Sequence, residues 1–325
     1  MTRARPSPPP AAKPVVLVAD RALARTAERL EAWYETHRLW EIPDTVAYAA
    51  GPGQTVRAIV ALGGTPIDRK LVEALPNLGL IACLASGYEG VDAAHARARG
   101  VEVTHSASIN HEDVADHAIA LFLAAARRVS AGERWVREGR WGKEPLPAVR
   151  SVRSLKVGVF GLGVIGRSVA RRLEAFGVEI AWWGRRPQPQ APYPRAESLL
   201  ALAAWADVLM ITARADASNV GLVGSDVLGA LGPQSLLVNV ARGSIVDEDA
   251  LIAALREGRI GGAALDVFQT EPTPPQRWAG LDNVVLTPHS AGHTLTAGEE
   301  MTGLLLENLR RFFAGEPPAT PVPRA

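Results

Sequence analysis

One cysteine, Cys83, stands among the 325 residues. A single thiol excludes an intrachain disulfide framework and any CxxC metal pattern. It favours a reducing, cytoplasmic setting. Cys83 lies inside the apolar run LGLIACLAS, where a buried strand position is expected. No apolar run approaches the ~18–20 residues of a membrane-spanning helix. Neither sign of charge is in excess: 35 Lys and Arg face 34 Asp and Glu, a net charge of +1. So nothing global draws the chain to nucleic acid or to a membrane. The opening MTRARPSPPPAAK lacks the apolar centre of a secretory signal. It is rich in proline and arginine, and residues 1–12 are expected to form a disordered tail. No histidine cluster has metal-ligand spacing, so no metal is expected.

What is present is an ordinary globular composition, 47% hydrophobic and 21% charged. The length suits two domains, since single cores stop growing at roughly 250–300 residues. Short continuous apolar runs fit parallel strands covered on both faces. In a first block these are PVVLVAD from Pro14, RAIVAL from Arg57, LGLIACLAS from Leu78 and VEVTHS from Val101. In a second block, about Leu155 to Leu286, they are KVGVFG, VEIAWW, DVLMIT, SLLVNV, GGAALDV and NVVLT. Helical patterns fall between them. Alternation of this kind predicts an α/β fold with two doubly wound, mostly parallel sheets. The amphipathic TAGEEMTGLLLENLRRFFAG returns to the first block, and the proline-rich EPPATPVPRA is expected to be loose.

Between the blocks a long helix is predicted over 112–129, capped by Asn110 or His111, with Glu112 and Asp113 in its first turn. It is apolar almost all round, as in VADHAIALFLAAA, which implies burial between domains or against a second subunit. The arm that follows, 130–147, carries Trp135 and Trp141, residues that dock on something when exposed. Helix and arm together are expected to form a homodimer contact; the alternative is an intrachain helix with a surface loop.

GLGVIG, comprising Gly161, Leu162, Gly163, Val164, Ile165 and Gly166, matches GxGxxG between an apolar strand and a helix. In that context the first glycine permits a tight turn. The second lets a pyrophosphate approach, and the third packs helix on strand. The phosphates then meet the N–H groups of the helix N-terminus. An acidic residue that holds the adenosine ribose is expected at the end of the next strand. VEIAWW is followed instead by Gly184, Arg185 and Arg186. A carboxylate there would repel a 2′-phosphate, whereas arginines offer it planar charged donors. The expected cofactor is NADP(H) in preference to NAD(H). The alternative is that the arginines only solvate a loop.

Arg242 follows the strand in VNVARGSIVDEDAL, Glu271 follows that in ALDVFQTEP, and His289 falls in LTPHSAGH. Ligands of parallel sheets gather outside such carboxyl ends. With GLGVIG, SGYEGVD and NHEDVADHAIAL, these motifs resemble the D-isomer-specific 2-hydroxyacid dehydrogenases, across almost all of the chain beyond its first dozen residues. The resemblance implies two Rossmann-like domains, the cofactor domain (109–287) inserted into a substrate domain (13–108 with 288–325). It also implies a dimer through the helix and arm. Arg242 would bind the substrate carboxylate and carbonyl oxygen, and His289 would protonate that oxygen. Glu271 would hydrogen-bond the imidazole and keep it protonated. Asp266 would meet the nicotinamide carboxamide, and the loop at Ser86, Gly87 and Tyr88 would cradle the substrate carboxylate. His117 is expected to be structural, and His293 carries no assigned role.

The chain departs from the family where ITARADASN, with Arg214, replaces a PLT-like segment beside the nicotinamide ribose, and where Tyr88 and Glu89 stand in the substrate loop. The expected activity is NADPH-dependent reduction of a small 2-oxo acid, glyoxylate or hydroxypyruvate, to the D-2-hydroxy acid. A bulkier aryl pyruvate such as 4-hydroxyphenylpyruvate is the alternative substrate. Formate dehydrogenase shares this fold but carries glutamine where this chain has Glu271. A dinucleotide-sensing, corepressor-like binding protein is the alternative from another class.

Overall fold

Continuous apolar runs become parallel strands because both of their faces are covered. The computed structural model describes residues 13–106 and 109–323, so the expected tail at 1–12 lies outside the described residues. The chain begins β1 (Val15–Val18), α1 (Ala24–Leu30), β2 (Glu35–Arg38), α2 (Thr45–Ala50), β3 (Val56–Ala61), α3 (Arg69–Ala74), β4 (Leu80–Cys83), α4 (Ala93–Ala98) and β5 (Glu102–Thr104). It continues with α5 (His111–Ala126), α6 (Val129–Arg137), β6 (Lys156–Phe160), α7 (Val164–Glu174), β7 (Glu179–Trp183), α8 (Leu199–Trp205), β8 (Val208–Ile211) and α9 (Ser225–Leu231). β9 (Leu236–Asn239), α10 (Glu248–Arg256), β10 (Gly262–Leu265), β11 (Val284–Leu286) and α11 (Leu295–Phe313) complete it. Two compact units result, Met1–Ile109 with Leu295–Ala325, and Asn110–Thr294, the second inserted into the first along the sequence. No described helix is long and apolar enough to cross a membrane.

The first unit holds a sheet in the order β2-β1-β3-β4-β5, its named pairs parallel. Successive side chains enter opposite cores. Leu17, Ile59, Ile81 and Cys83 join one, while Val16, Val18, Val60, Leu80 and Ala82 join the other, which Leu305 and Leu309 of α11 complete. Burial, followed by the charge of Glu89, pushes the Cys83 thiol up to about 12, so it stays protonated and inert at neutral pH. One strand is additional to those expected, and one expectation is corrected. The edge strand β2, sequence ETHR, has no apolar run and was not foreseen; an edge strand needs only one paired side. The C-terminal segment is docked, not loose. Val322 is buried, its N–H bonds Val103 O at 2.9 Å, and Asn308 Oδ1 accepts from Ala319 and Thr320 N–H.

The second unit holds a parallel sheet in the order β11-β10-β9-β8-β6-β7. Alternation again sorts the strands. Val157, Val159, Met210 and Val238 face a core shared with α5 and α7, and Phe160, Leu209, Ile211 and Leu237 face one shared with α8, α9 and α10. The long helix is shorter than expected, ending at Ala126; Arg128 then takes a left-handed backbone (φ 51°) and the start of the arm coils into α6. Its apolar residues Val114, Ala118, Ile119, Leu121 and Phe122 are buried inside this unit. Its first turn is tied to α7: the Glu112 carboxylate accepts from Ser168 Oγ at 2.9 Å and pairs with Arg171 at 3.0 Å and Arg172 at 2.6 Å. The segment 288–294 stays with this unit, where the sequence reading returned it to the first block. The physical reason is the Asp266 carboxylate, which holds Ser290 N–H at 2.8 Å and Ala291 N–H at 2.9 Å.

Candidate active site

The chain leaves β6 through Gly161, whose φ of +100° suits glycine and whose N–H bonds Trp183 O at 2.8 Å. A Cβ here would also lie 2.5 Å from Ala213 Cα. Gly166, in the first turn of α7, packs so close that a Cβ would meet Gly161 O at 2.1 Å. Between them Leu162 is buried in the core, Ile165 packs partly against it, and Val164 is exposed. Gly163 is the N-cap, without a side-chain hydrogen bond, and the space its Cβ would take is open. The first N–H groups of a helix have no intrahelical partner, so this joint offers donors and room to an anion. β6 is also where the strand order reverses, with β7 on one side and β8 on the other. That is where parallel sheets of this kind bind ligands.

Gly184 follows β7, and a Cβ added there would meet the Trp182 ring at 3.5 Å and Gly161 Cα at 3.9 Å. Arg195 Nη2 donates to Gly184 O at 2.8 Å. Arg185 and Arg186 are exposed. The Arg185 guanidinium forks onto both carboxylate oxygens of Asp216, Nη1 to Oδ1 at 3.1 Å and Nη2 to Oδ2, and also donates to Ser218 Oγ. Asp216 lies in the ITARADASN segment. Its side chain caps the short turn Ala217–Asn219, while Asn219 Oδ1 accepts from Asp216 N–H. Hydrogen bonds from Ser218 and then Arg185 hold the Asp216 carboxyl down to about 2. Sequence reasoning passed over Asp216. Asp-x-Ser is a turn-forming pattern, but nothing local announces a partner 31 positions away.

Arg242, Asp266, Glu271 and His289 all belong to the second unit, close beyond β9, β10 and β11. His289 Nδ1 lies 2.6 Å from Glu271 Oε2. Burial would raise the Glu271 carboxyl, but the His289 hydrogen bond, the Phe268 N–H at 3.0 Å and the charges of His289 and Arg242 outweigh it and hold it below the ordinary range. An ionised carboxylate only accepts, so the proton between the pair sits on Nδ1 and Nε2 is the imidazole's other working end. The Arg242 backbone is fixed by Asn239, whose Nδ2 donates to Arg242 O at 3.0 Å; Arg242 Nη1 donates to Ala241 O at 2.7 Å.

His289 has a left-handed backbone, φ +50°, uncommon for a non-glycine residue and costing about 1–3 kcal/mol where it occurs. Asp266 holds it there. Its main-chain oxygen accepts His289 N–H at 2.8 Å, and its carboxylate accepts from Thr287 Oγ1 at 2.6 Å, Ser290 N–H and Ala291 N–H. Asp266 is fully buried. His117 Nε2 approaches the same cluster, 3.0 Å from Thr287 Oγ1 and 3.5 Å from Asp266 Oδ1. Thr287 stands in LTPHSAGH, where a hydroxyl next to a proline carries no signal of its buried acceptor.

Ser86, Gly87 and Tyr88 belong to the first unit, on the loop after β4. That loop is braced there. Ser106 N–H bonds Ala85 O at 2.7 Å, Gly90 N–H bonds Gly63 O at 2.7 Å, and His105 Nδ1 lies 2.9 Å from Ser86 O. The His105 ring meets Tyr88 edge-on with centroids 5.5 Å apart.

Comparison with known proteins gives one coherent result. The family model described as "D-isomer specific 2-hydroxyacid dehydrogenase, NAD binding domain" matches residues 119–291. The chain is 36% identical over 295 residues to a hydroxyphenylpyruvate reductase of Plectranthus scutellarioides, covering 91% of this chain and 94% of that one. It is 36% identical over 293 residues to glyoxylate/hydroxypyruvate reductase A of Arabidopsis thaliana, covering 90% and 94%. Among solved structures, the NADPH-dependent glyoxylate/hydroxypyruvate reductase of Sinorhizobium meliloti in complex with NADP and malonate superposes with a TM-score of 0.88 at 38% identity, covering 97% of this chain and all of that one.

Proposed function

We propose a substrate and a cofactor preference for this chain, which belongs to the D-isomer-specific 2-hydroxyacid dehydrogenase family: it reduces a small 2-oxo acid of the glyoxylate or hydroxypyruvate type to the D-2-hydroxy acid, with NADPH. The observation that carries the chemistry is the 2.6 Å contact of His289 with an ionised Glu271, beside Arg242 in charge and beyond parallel strand ends.

The chain's own residues would act as follows. Arg242 binds the substrate carboxylate and carbonyl oxygen through its two-pronged guanidinium. By the family resemblance, the loop at Ser86, Gly87 and Tyr88 would offer N–H groups to a carboxylate. His289, its Nδ1–H held by Glu271, delivers a proton from Nε2 to the carbonyl oxygen as that oxygen gains negative charge. Glu271, by accepting the Nδ1–H, fixes the tautomer and the orientation of the ring. The dinucleotide fits the second unit. Gly161 and Gly166 form a joint too tight for a side chain, Gly163 leaves it open, and the N-terminus of α7 faces it. Leu162, Val164 and Ile165 complete that loop, and by the family resemblance Asp266 would meet the nicotinamide carboxamide. When bound, the nicotinamide supplies the hydride to the carbonyl carbon, and the sum is 2-oxo acid plus NADPH plus H⁺ to 2-hydroxy acid plus NADP⁺. Gly184, with Arg185 and Arg186, supports the preference for the 2′-phosphate, as does the NADPH dependence of the Sinorhizobium meliloti relative.

A second reading, an aryl pyruvate such as 4-hydroxyphenylpyruvate, rests on the Plectranthus scutellarioides relative. We assign the inserted unit to the cofactor and the first unit to the substrate, and place the protein in the cytoplasm as a homodimer built on the helix near 112–129 and the arm 130–147. Exposed Val129, Val136 and Trp141 and a cavity of about 550 Å³ beside Trp135 and Leu146 support that interface, and sedimentation velocity tests it. Initial rates with NADPH and NADH, each crossed with glyoxylate, hydroxypyruvate and 4-hydroxyphenylpyruvate, test the function. A large NADPH preference and turnover of the two small acids are expected. Failure to reduce any of the three overturns the substrate class, and an NADH preference overturns the cofactor.

A further inference from the structure

We propose that Asp216 is a specificity-determining residue that limits how strongly the site prefers NADP(H), by competing with the 2′-phosphate for the Arg185 guanidinium. The inference rests on the reading of Arg185 given above. That guanidinium is not idle: both of its Nη atoms donate to the Asp216 carboxylate, and Nη1 also donates to Ser218 Oγ. The bond ties the segment after β7 to the segment after β8, and these flank the glycine joint: Gly184 lies against Gly161 on one side, and Ala213 lies against it on the other. A phosphate bearing up to two charges that approaches Arg185 here meets a fork already filled by a carboxylate. It must either displace Asp216 or share the cation with it.

The magnitude follows from exposure. Arg185 and Asp216 side chains are about half exposed. An ion pair in that setting resists rupture by at most about fivefold in affinity. Like-charge repulsion between carboxylate and phosphate, screened over a Debye length of about 8 Å, adds to this. Together they predict a brake of roughly three- to tenfold, too weak to exclude NADPH and strong enough to narrow its advantage. Asp216 stays ionised through the assay range, because Ser218 and Arg185 hold its carboxyl down to about 2. The contribution of Asp216 itself is therefore constant with pH. Arg186, the next residue, is exposed as well.

Asp216→Asn is the informative variant. Asparagine caps a turn as well as aspartate does, so the Ala217–Asn219 turn is kept while the charge is removed. The assay is kcat/KM for NADPH and for NADH at fixed 2-oxo acid, in the wild type, D216N, R185A, R185A/D216N and R185A/R186A. D216N is expected to raise the NADPH/NADH ratio roughly three- to tenfold, and to raise it less in the R185A background, where only the screened repulsion is relieved. A ratio that falls in R185A yet stays flat or falls in D216N overturns the role of Asp216 and leaves the arginine reading standing. An equal rise in both backgrounds also overturns competition for Arg185. A ratio unmoved by R185A and by R185A/R186A overturns the arginine reading, and this inference with it.

Discussion

Asp266→Asn isolates what holds the His289 turn. The carboxylate is fully buried and accepts from Thr287 Oγ1, Ser290 N–H and Ala291 N–H, at 2.6, 2.8 and 2.9 Å. Asparagine has nearly the same shape but only one acceptor oxygen. With its oxygen in the Oδ1 place, its NH₂ faces the Ala291 N–H, donor against donor. Flipped, it faces Ser290 N–H instead. One buried main-chain donor is stranded either way. A hydrogen bond to a charged group contributes about 1.5–3 kcal/mol, and a stranded buried donor costs about 1–3 kcal/mol, so the variant should lose roughly 3–5 kcal/mol. For a unit of this size that is a fall in melting temperature of roughly 6–20 °C. The two main-chain donors involved follow His289 directly, so the turn that carries it should loosen and turnover should fall as well. Differential scanning calorimetry and steady-state rates measure both. A variant that melts within 2 °C of the wild type with kcat intact would refute the reasoning.

Replacing His289 by alanine should lower kcat/KM by about 10²–10⁴ while NADPH binding, read by fluorescence titration, survives; undiminished turnover would remove His289 from the mechanism. Gly166→Ala should weaken cofactor binding severely, because its Cβ would sit 2.1 Å from Gly161 O and must push α7 off the strand end; unchanged cofactor KM would show that the joint can yield. Glu112 gives a pH test. Hydrogen bonds from Arg172 and then Ser168 hold its carboxyl down to about 2. A depressed carboxylate contributes stability that is fully present above the unfolded glutamate pKa, about 4.3, and is lost as pH falls through the folded one. E112Q should thus melt below the wild type at pH 7 and converge with it between pH 4 and 2, and a gap that widens on acidification would contradict the sign.

The strands with continuous apolar runs were legible because burial on both faces leaves a mark on every residue. The glycine joint at 161–166 was legible for a similar reason: its turn and its close helix contact are demands on the residues themselves. β2 was not, since ETHR pairs through its backbone on one side and nothing in its side chains records it. EPPATPVPRA reads as loose by composition, yet Val322 is buried and Arg97 Nη2 donates to its carbonyl at 2.8 Å, a contact spanning 225 positions. The break after Ala126 was hidden as well, because Arg128 carries the left-handed backbone that glycine usually signals.

By itself the sequence determined the fold class, the order of the strands that carry apolar runs, and the types of side chain that stand beyond the strand ends: an imidazole, a carboxylate and a guanidinium at His289, Glu271 and Arg242. Periodicity and glycine spacing are local properties, so they survive in one dimension. The tertiary structure alone decided which of those side chains pair, that Asp266 builds the turn carrying His289, and that Arg185 already has Asp216 as a partner. Those facts are distances between residues far apart in the chain. They depend on which strands lie side by side, and only the folded sheet, with β6 between β7 and β8, brings them within reach of a hydrogen bond.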